Sequence, residues 1–131
     1  YWISTKGEGL IKVVETASGH FRTEQYTHDP NNIYSISNNN IYYTFQDSQQ
    51  RLWVATYGGG LNLIEQQPDG SLHFISHQNR LKNYPIQRFY KVRHIMEDTE
   101  ANIWVSTTAG ILYFNKHFRE PETITFDQIS R

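Results

Sequence analysis

The sequence predicts an all-β fold: a partial β-propeller of about three four-stranded antiparallel blades, the first lacking its first strand. Three observations predict it. A Trp-and-glycine signature recurs at equal intervals along the 131 residues. Short runs of aromatic and β-branched residues alternate with polar turns. No stretch carries a convincing 3.6-residue periodicity, so little helix is expected.

The repeat is the strongest of the three. Trp2-Ile3-Ser4-Thr5-Lys6-Gly7-Glu8-Gly9-Leu10 aligns with Trp53-Val54-Ala55-Thr56-Tyr57-Gly58-Gly59-Gly60-Leu61. Both align with Trp104-Val105-Ser106-Thr107-Thr108-Ala109-Gly110-Ile111, which is one residue shorter at its turn. The tryptophans follow one another at intervals of 51 residues, and the match extends upstream, where Ile41 to Asp47 aligns with Val92 to Asp98.

Each unit reads as four strands. The first is Ile41–Gln46 or Val92–Glu97, followed by a polar turn opening on Asp47 or Asp98. The second, Leu52–Thr56 or Ile103–Thr107, is apolar on both faces and so is expected between layers. Gly58-Gly59-Gly60 makes the next turn, where a backbone without Cβ reaches positive φ easily. The third is Leu61–Glu65 or Ile111–Asn115. Pro68-Asp69-Gly70 then turns the chain into the fourth, Leu72–Ser76, with counterparts expected at His20–Tyr26 and Thr123–Asp127. The chain therefore divides as one propeller segment, 1–131, with a partial blade over 1–39 and full blades over 40–90 and 91–131. A blade cannot bury both its faces alone. Other blades of a parent protein, or other copies of this chain, are the expected partners, with Thr123–Asp127 expected to join residues 1–13 of another copy.

Composition limits the function. Twelve basic and 13 acidic residues are mixed along the chain for a formal charge of −1, which argues against a nucleic-acid or anionic-membrane surface. No apolar run approaches the ~20 residues that span a bilayer, so direct membrane insertion is not expected. With no cysteine, neither disulfides nor thiolate metal sites exist. His73 and His77 would stand about 13 Å apart on a strand, too far for one ion. No metal or cofactor is expected.

The pattern of a turn Asp, then Leu/Ile-Trp-Val-Ala/Ser-Thr, a Gly-rich turn and Leu resembles the two-component regulator propeller repeat. The segment Asn31 to Asn40 leading into Ile41 is similar to that family's link between blades. The resemblance covers nearly the whole chain. It departs at Gln50 and Ala101, where the family often has Gly. It implies the periplasmic sensor region of a hybrid two-component system of the Bacteroides type, within an inner-membrane receptor. There, two propellers and an immunoglobulin-like domain precede a membrane helix, a histidine kinase and a DNA-binding regulator, and the ligands are typically glycan fragments. Kinase signatures are absent from these 131 residues, so no chemistry of its own is expected here.

Candidate residues follow from the same reading. Trp2, Trp53 and Trp104, Gly9, Gly60 and Gly110, and Asp47 and Asp98 form the structural signature, with the tryptophans expected in the core. The linking loops Thr27–Asn40 and His77–Lys91 are polar and aromatic. A sugar site needs a flat apolar platform and hydrogen-bond donors. Arg88, Tyr90, Arg93, Tyr84 and Lys91 could supply both, for an oligosaccharide ligand. Two alternatives stand beside the sensor: a propeller segment of a glycosidase or lyase, which predicts a cluster of acids on one rim, and a purely structural fragment.

Overall fold

The computed structural model describes residues 1–130. Eleven strands form three antiparallel sheets. β1 (Trp2–Ser4), β2 (Leu10–Glu15) and β3 (Phe21–Tyr26) make the first. β4 (Ile41–Gln46), β5 (Leu52–Thr56), β6 (Gly60–Gln66) and β7 (Leu72–Ile75) make the second. β8 (Val92–Glu97), β9 (Asn102–Thr107), β10 (Gly110–Asn115) and β11 (Asp127–Ser130) make the third. Each sheet is a meander in which sequential strands pair, the arrangement of a propeller blade.

The sheets stack face to face. β8 packs against β4 and β5, and β4 packs against β1. The two apolar faces of the middle sheet explain why β5 reads as apolar throughout. Trp53 and Ala55 point toward the third sheet and join Val92, Ile95, Val105, Leu112 and Phe114 in the larger core. Val54 points the other way, into a smaller core with Leu10, Ile36, Ile41 and Phe74, flanked by Trp2 and Tyr26. Strand alternation produces both sets from one strand.

The first strands of the two four-stranded sheets each carry a bulge. Register shifts between Ile41 and Tyr43 in β4 and between Val92 and His94 in β8. The extra residues are Tyr42 and Arg93, which occupy equivalent places in the repeat and are both exposed. A bulge re-aims the side chain it inserts.

One expected strand lies elsewhere. The fourth strand of the last blade, expected over Thr123–Asp127, is instead β11 at Asp127–Ser130, preceded by a 3-10 turn at Pro121–Thr123. Ile124 and Phe126 are buried while Thr123 and Thr125 are exposed, so the alternation that suggested a strand is a true burial pattern. The backbone there is not laddered to β10, because the carbonyls of Glu122 and Ile124 accept from the Asn83 side chain. β11 pairs with β10 of the same chain, Gly110 opposite Ser130 through Tyr113 opposite Asp127. The last strand thus lies beside β10 within this chain, four residues beyond the start of the segment expected to form it.

Candidate functional site

The signature residues form a framework that repeats from sheet to sheet. Asp47 accepts at one carboxylate oxygen from the backbone N–H groups of Gln49 and Arg51. At the other it accepts from Arg51 Nε (3.0 Å) and the Trp53 indole (2.8 Å). Asp98 repeats the arrangement with Glu100, Asn102 and the Trp104 indole at 2.7 Å. These bonds hold the Asp98 carboxyl below its usual range, the indole bond contributing most. The aspartate therefore closes its turn and fixes the tryptophan.

Between its anchors the turn needs left-handed backbone, and Gln50 and Ala101 supply it at φ 66° and 69°. These are the two positions where the sequence departs from glycine. The departure leaves the turn geometry intact and places a Cβ in a conformation that L-residues disfavour.

A second repeated device is a threonine that sequence reading placed in the pattern without a role. Thr5, Thr56 and Thr107 each donate to the carbonyl across the Gly-rich turn, that of Gly9, Gly60 and Gly110, at 2.6, 2.8 and 2.7 Å. Each hydroxyl also accepts a turn N–H, from Glu8, Gly59 and Ala109. Gly60 is required at its position: φ is +76°, and an added Cβ would lie 2.7 Å from the Tyr84 ring.

These turns clasp the segment that begins the next sheet. The N–H groups of Gly7 and Gly9 both donate to the Asn39 carbonyl, and those of Gly58 and Gly60 both donate to the Tyr90 carbonyl. Lys6 bridges Asn40, and Tyr57 bridges Lys91. The Gly-rich turns and the long linking loops therefore share one rim, whereas the Asp turns lie at the opposite end of the strands.

The expected ligand residues separate on this rim. Tyr84 does not face solvent: it is 4 % exposed, its hydroxyl donates to the Phe89 carbonyl at 2.6 Å, and its ring meets Phe126 edge-on. Burial pushes its phenol pKa up. It belongs to the core, correcting its expected place among ligand residues. Arg88 is exposed and lies over the Phe89 ring, 5.6 Å from its centroid. Tyr90 and Lys91 come together with two residues not singled out in the sequence, Tyr42 and Tyr57. The Tyr42 and Tyr57 rings stack at 4.5 Å and 15°. The Lys91 ammonium lies 5.3 Å from the Tyr57 centroid and 5.6 Å from that of Tyr90. Arg93 stands two residues on, at its bulge. A Tyr repeated on either side of a strand-to-strand turn was the available signal, visible only once the bulge at Tyr42 was known.

The tryptophans also separate. Trp53 is fully buried, with Phe114 at 5.2 Å and Phe118 edge-on at 6.0 Å. Trp2 and Trp104 are half-buried. Trp104 stacks on Tyr113 at 4.6 Å and, with His94, Met96, Ser106 and Ile111, lines a shallow apolar depression on the open face of the third sheet. The core expectation holds in full for Trp53 alone of the three.

The seam between the second and third sheets is polar at the Asp end. Glu97 accepts from the Ser48 backbone N–H (2.8 Å) and hydroxyl and from Lys116 Nζ at 2.6 Å. Together these hold the Glu97 carboxyl down at about 2, Lys116 contributing most. In a second set, Arg80 binds Glu65, Glu120 and Glu122. Each acid of both sets is occupied by a cation, and among the described residues no group of three or more His, Cys, Asp or Glu is arranged to hold a metal.

The fold and its repeated Asp–Trp–Thr–Gly framework define a segment of a β-propeller built from four-stranded blades. More particularly, residues 35–58 match the family model of the two component regulator propeller. A histidine kinase (P4) of Formosa agariphila is 35% identical over 63 residues, 48% of this chain and 4% of that protein. The extracellular domain of a B. thetaiotaomicron protein described as a one component system superposes with a TM-score of 0.62 at 27% identity. The match covers 89% of this chain and 15% of that one. The extracellular domain of a second B. thetaiotaomicron protein, described as a hybrid two component system, shares the fold with a TM-score of 0.53 at 21% identity. It covers 95% of this chain and 21% of that one. This chain thus spans a small part of each relative. No helix among the described residues is long and apolar enough to cross a membrane.

Proposed function

We propose that the chain is part of the extracytoplasmic ligand-sensing propeller of a hybrid two-component receptor. Its role is to recognise a glycan fragment and to pass that occupancy to a kinase carried elsewhere in the parent protein. Blades over 1–39, 40–90 and 91–131 are the units of this segment. The observation that carries the reading is the joint one of repeat and likeness. A regulator-propeller family model matches residues 35–58, and the 27%-identical neighbour over 89% of the chain is an extracellular domain. The placement is periplasmic, within an inner-membrane receptor.

Asp47, Asp69 and Asp98 are engaged in turns and Glu65, Glu97, Glu120 and Glu122 in ion pairs, the pattern of a scaffold rather than of paired catalytic carboxylates. Binding without turnover is therefore expected. Calorimetric titration with a panel of oligosaccharides, followed by chromatography of the recovered sugars, tests it. Saturable binding of unaltered sugar supports the sensor. Shortened products would establish the enzyme reading in its place.

The open face around Trp104 adds a partner to this reading. The equivalent face of the second sheet, around Trp53, is covered by the third sheet through an apolar core. A further blade of the same repeat is the occupant that fits the Trp104 face. Light scattering at high micromolar concentration checks the behaviour of the chain alone: an open face predicts concentration-dependent association, and a strictly monomeric mass counts against it.

A further inference from the structure

We propose that the rim ledge formed by Tyr42, Tyr57, Tyr90 and Lys91 binds a saccharide bearing an acidic group, a carboxylate or a sulfate. The inference rests on the sensor reading and names its site and ligand class.

The ledge has the two parts such a ligand requires. The first is an apolar platform. Tyr42 and Tyr90 are 38% and 41% exposed, and Tyr42 is held by its stack on Tyr57. A sugar ring offers a flat C–H face to such rings, whose hydroxyls can bond its own. The second part is a cation with no competing anion. Lys91 sits between the Tyr57 and Tyr90 rings, and it forms no ion pair with a carboxylate among the described residues. The contrast with Arg80 and Lys116, both bound to glutamates, is direct. A second cation, Arg93, follows on the adjoining strand at its bulge.

The backbone holds these groups in place independently of any ligand. Tyr57 and Lys91 are bridge partners, and the Tyr90 carbonyl takes two N–H groups from the Gly-rich turn. The bulge at Tyr42 turns an extra side chain outward on the strand beside the turn. In the preceding copy of the rim the residues equivalent to Tyr90 and Lys91 are Asn39 and Asn40. The same clasp there carries no aromatic platform, and its cation, Lys6, stands at the place of Tyr57 instead of Lys91. The ledge is thus a property of these side chains and not of the repeat.

The test uses the chain with 15N labelling. Probes are a trigalacturonate, a sulfated chondroitin disaccharide, and neutral maltotriose and cellobiose. The expected result is that an acidic probe shifts the amide signals of residues 40–42, 57–60 and 90–93, weakens with added salt, and binds more tightly than the neutral probes. Lys91→Gln, which keeps the stem and removes the charge, should weaken acidic binding roughly tenfold. Tyr42→Ala should weaken it as well, with the amide spectrum of the other sheets unchanged. Equal binding of acidic and neutral probes, binding untouched by Lys91→Gln, or shifts mapping to another surface would overturn the ledge and leave the sensor reading standing. Failure of every probe at millimolar concentration would overturn both.

Discussion

Trp53 and Trp104 occupy the same place in two copies of one repeat, with the same aspartate bond to the indole, yet one is fully buried and the other half-buried. The difference is what lies across from each. Trp53 faces a neighbouring sheet through Phe114 and Phe118, while Trp104 has, among the described residues, Tyr113 of its own sheet as its one aromatic partner. The repeat fixes the local geometry of the ring, and the neighbour decides how much burial that geometry is worth. A signature residue is therefore not by itself a measure of stability; its energetic weight depends on its position in the stack.

The largest expected effect separates the two faces. Trp53→Ala should cost about 3–5 kcal/mol in urea unfolding, since it removes a fully buried ring and leaves a cavity. Trp104→Ala should cost roughly half that or less, in proportion to the smaller area it buries. Equal costs would mean that the open face is covered in solution.

Gly60→Ala sharpens the same comparison at the clasp. Positive φ and the nearby Tyr84 ring make it costly, about 1–3 kcal/mol. Gly70, at φ +91° with open space around its Cβ direction, lies at an outer turn. Gly70→Ala should show the backbone strain alone, about 1 kcal/mol. Thermal melts of the two variants would compare a seam with a free turn.

Acid tests the polar end of the seam. Glu97 is held down to about 2 from an ordinary 4.5, chiefly by Lys116. A carboxyl with a depressed folded value contributes fully above about 4.5, and that contribution is lost as pH falls from there through about 2. Unfolding free energy should therefore drop across this window, and Glu97→Gln should flatten the drop. An unaltered acid profile in the variant would assign the loss to other carboxylates.

The smallest effect is at the Asp turns. Ala101→Gly should stabilise by about 0.5–1 kcal/mol, and Gln50→Gly in the same direction, by removing a Cβ from left-handed backbone. The denaturation midpoint of each single variant checks this.

Much of the fold was legible because the signature is local. The Asp turn, the Trp strand and the Gly-rich turn are set by residues within a few positions of one another, so equal spacing revealed the sheets. What escaped depended on distant partners. Alternation at Ile124 and Phe126 reports which side chains are buried but not which backbone they pair with, and Asn83 took the carbonyls a strand would have used. Tyr84 sits in a polar loop and reads as exposed, but its ring fills the space over Gly60. The ledge was half legible: Tyr90 and Lys91 stand together in sequence, whereas Tyr42 and Tyr57 join them only through the bulge and the bridge.

The clasp at the rim has a consequence for how such a surface diversifies. Each sheet is fastened to the next through a carbonyl, that of Asn39 at one seam and of Tyr90 at the other. A main-chain fastening is indifferent to the side chain it carries. Asparagine and tyrosine serve equally, and the residues after them, Asn40 and Lys91, differ as freely. Mutation can thus rewrite the chemistry displayed at one seam while leaving the joint intact, so a row of identical joints can present a different face to the surroundings at every step.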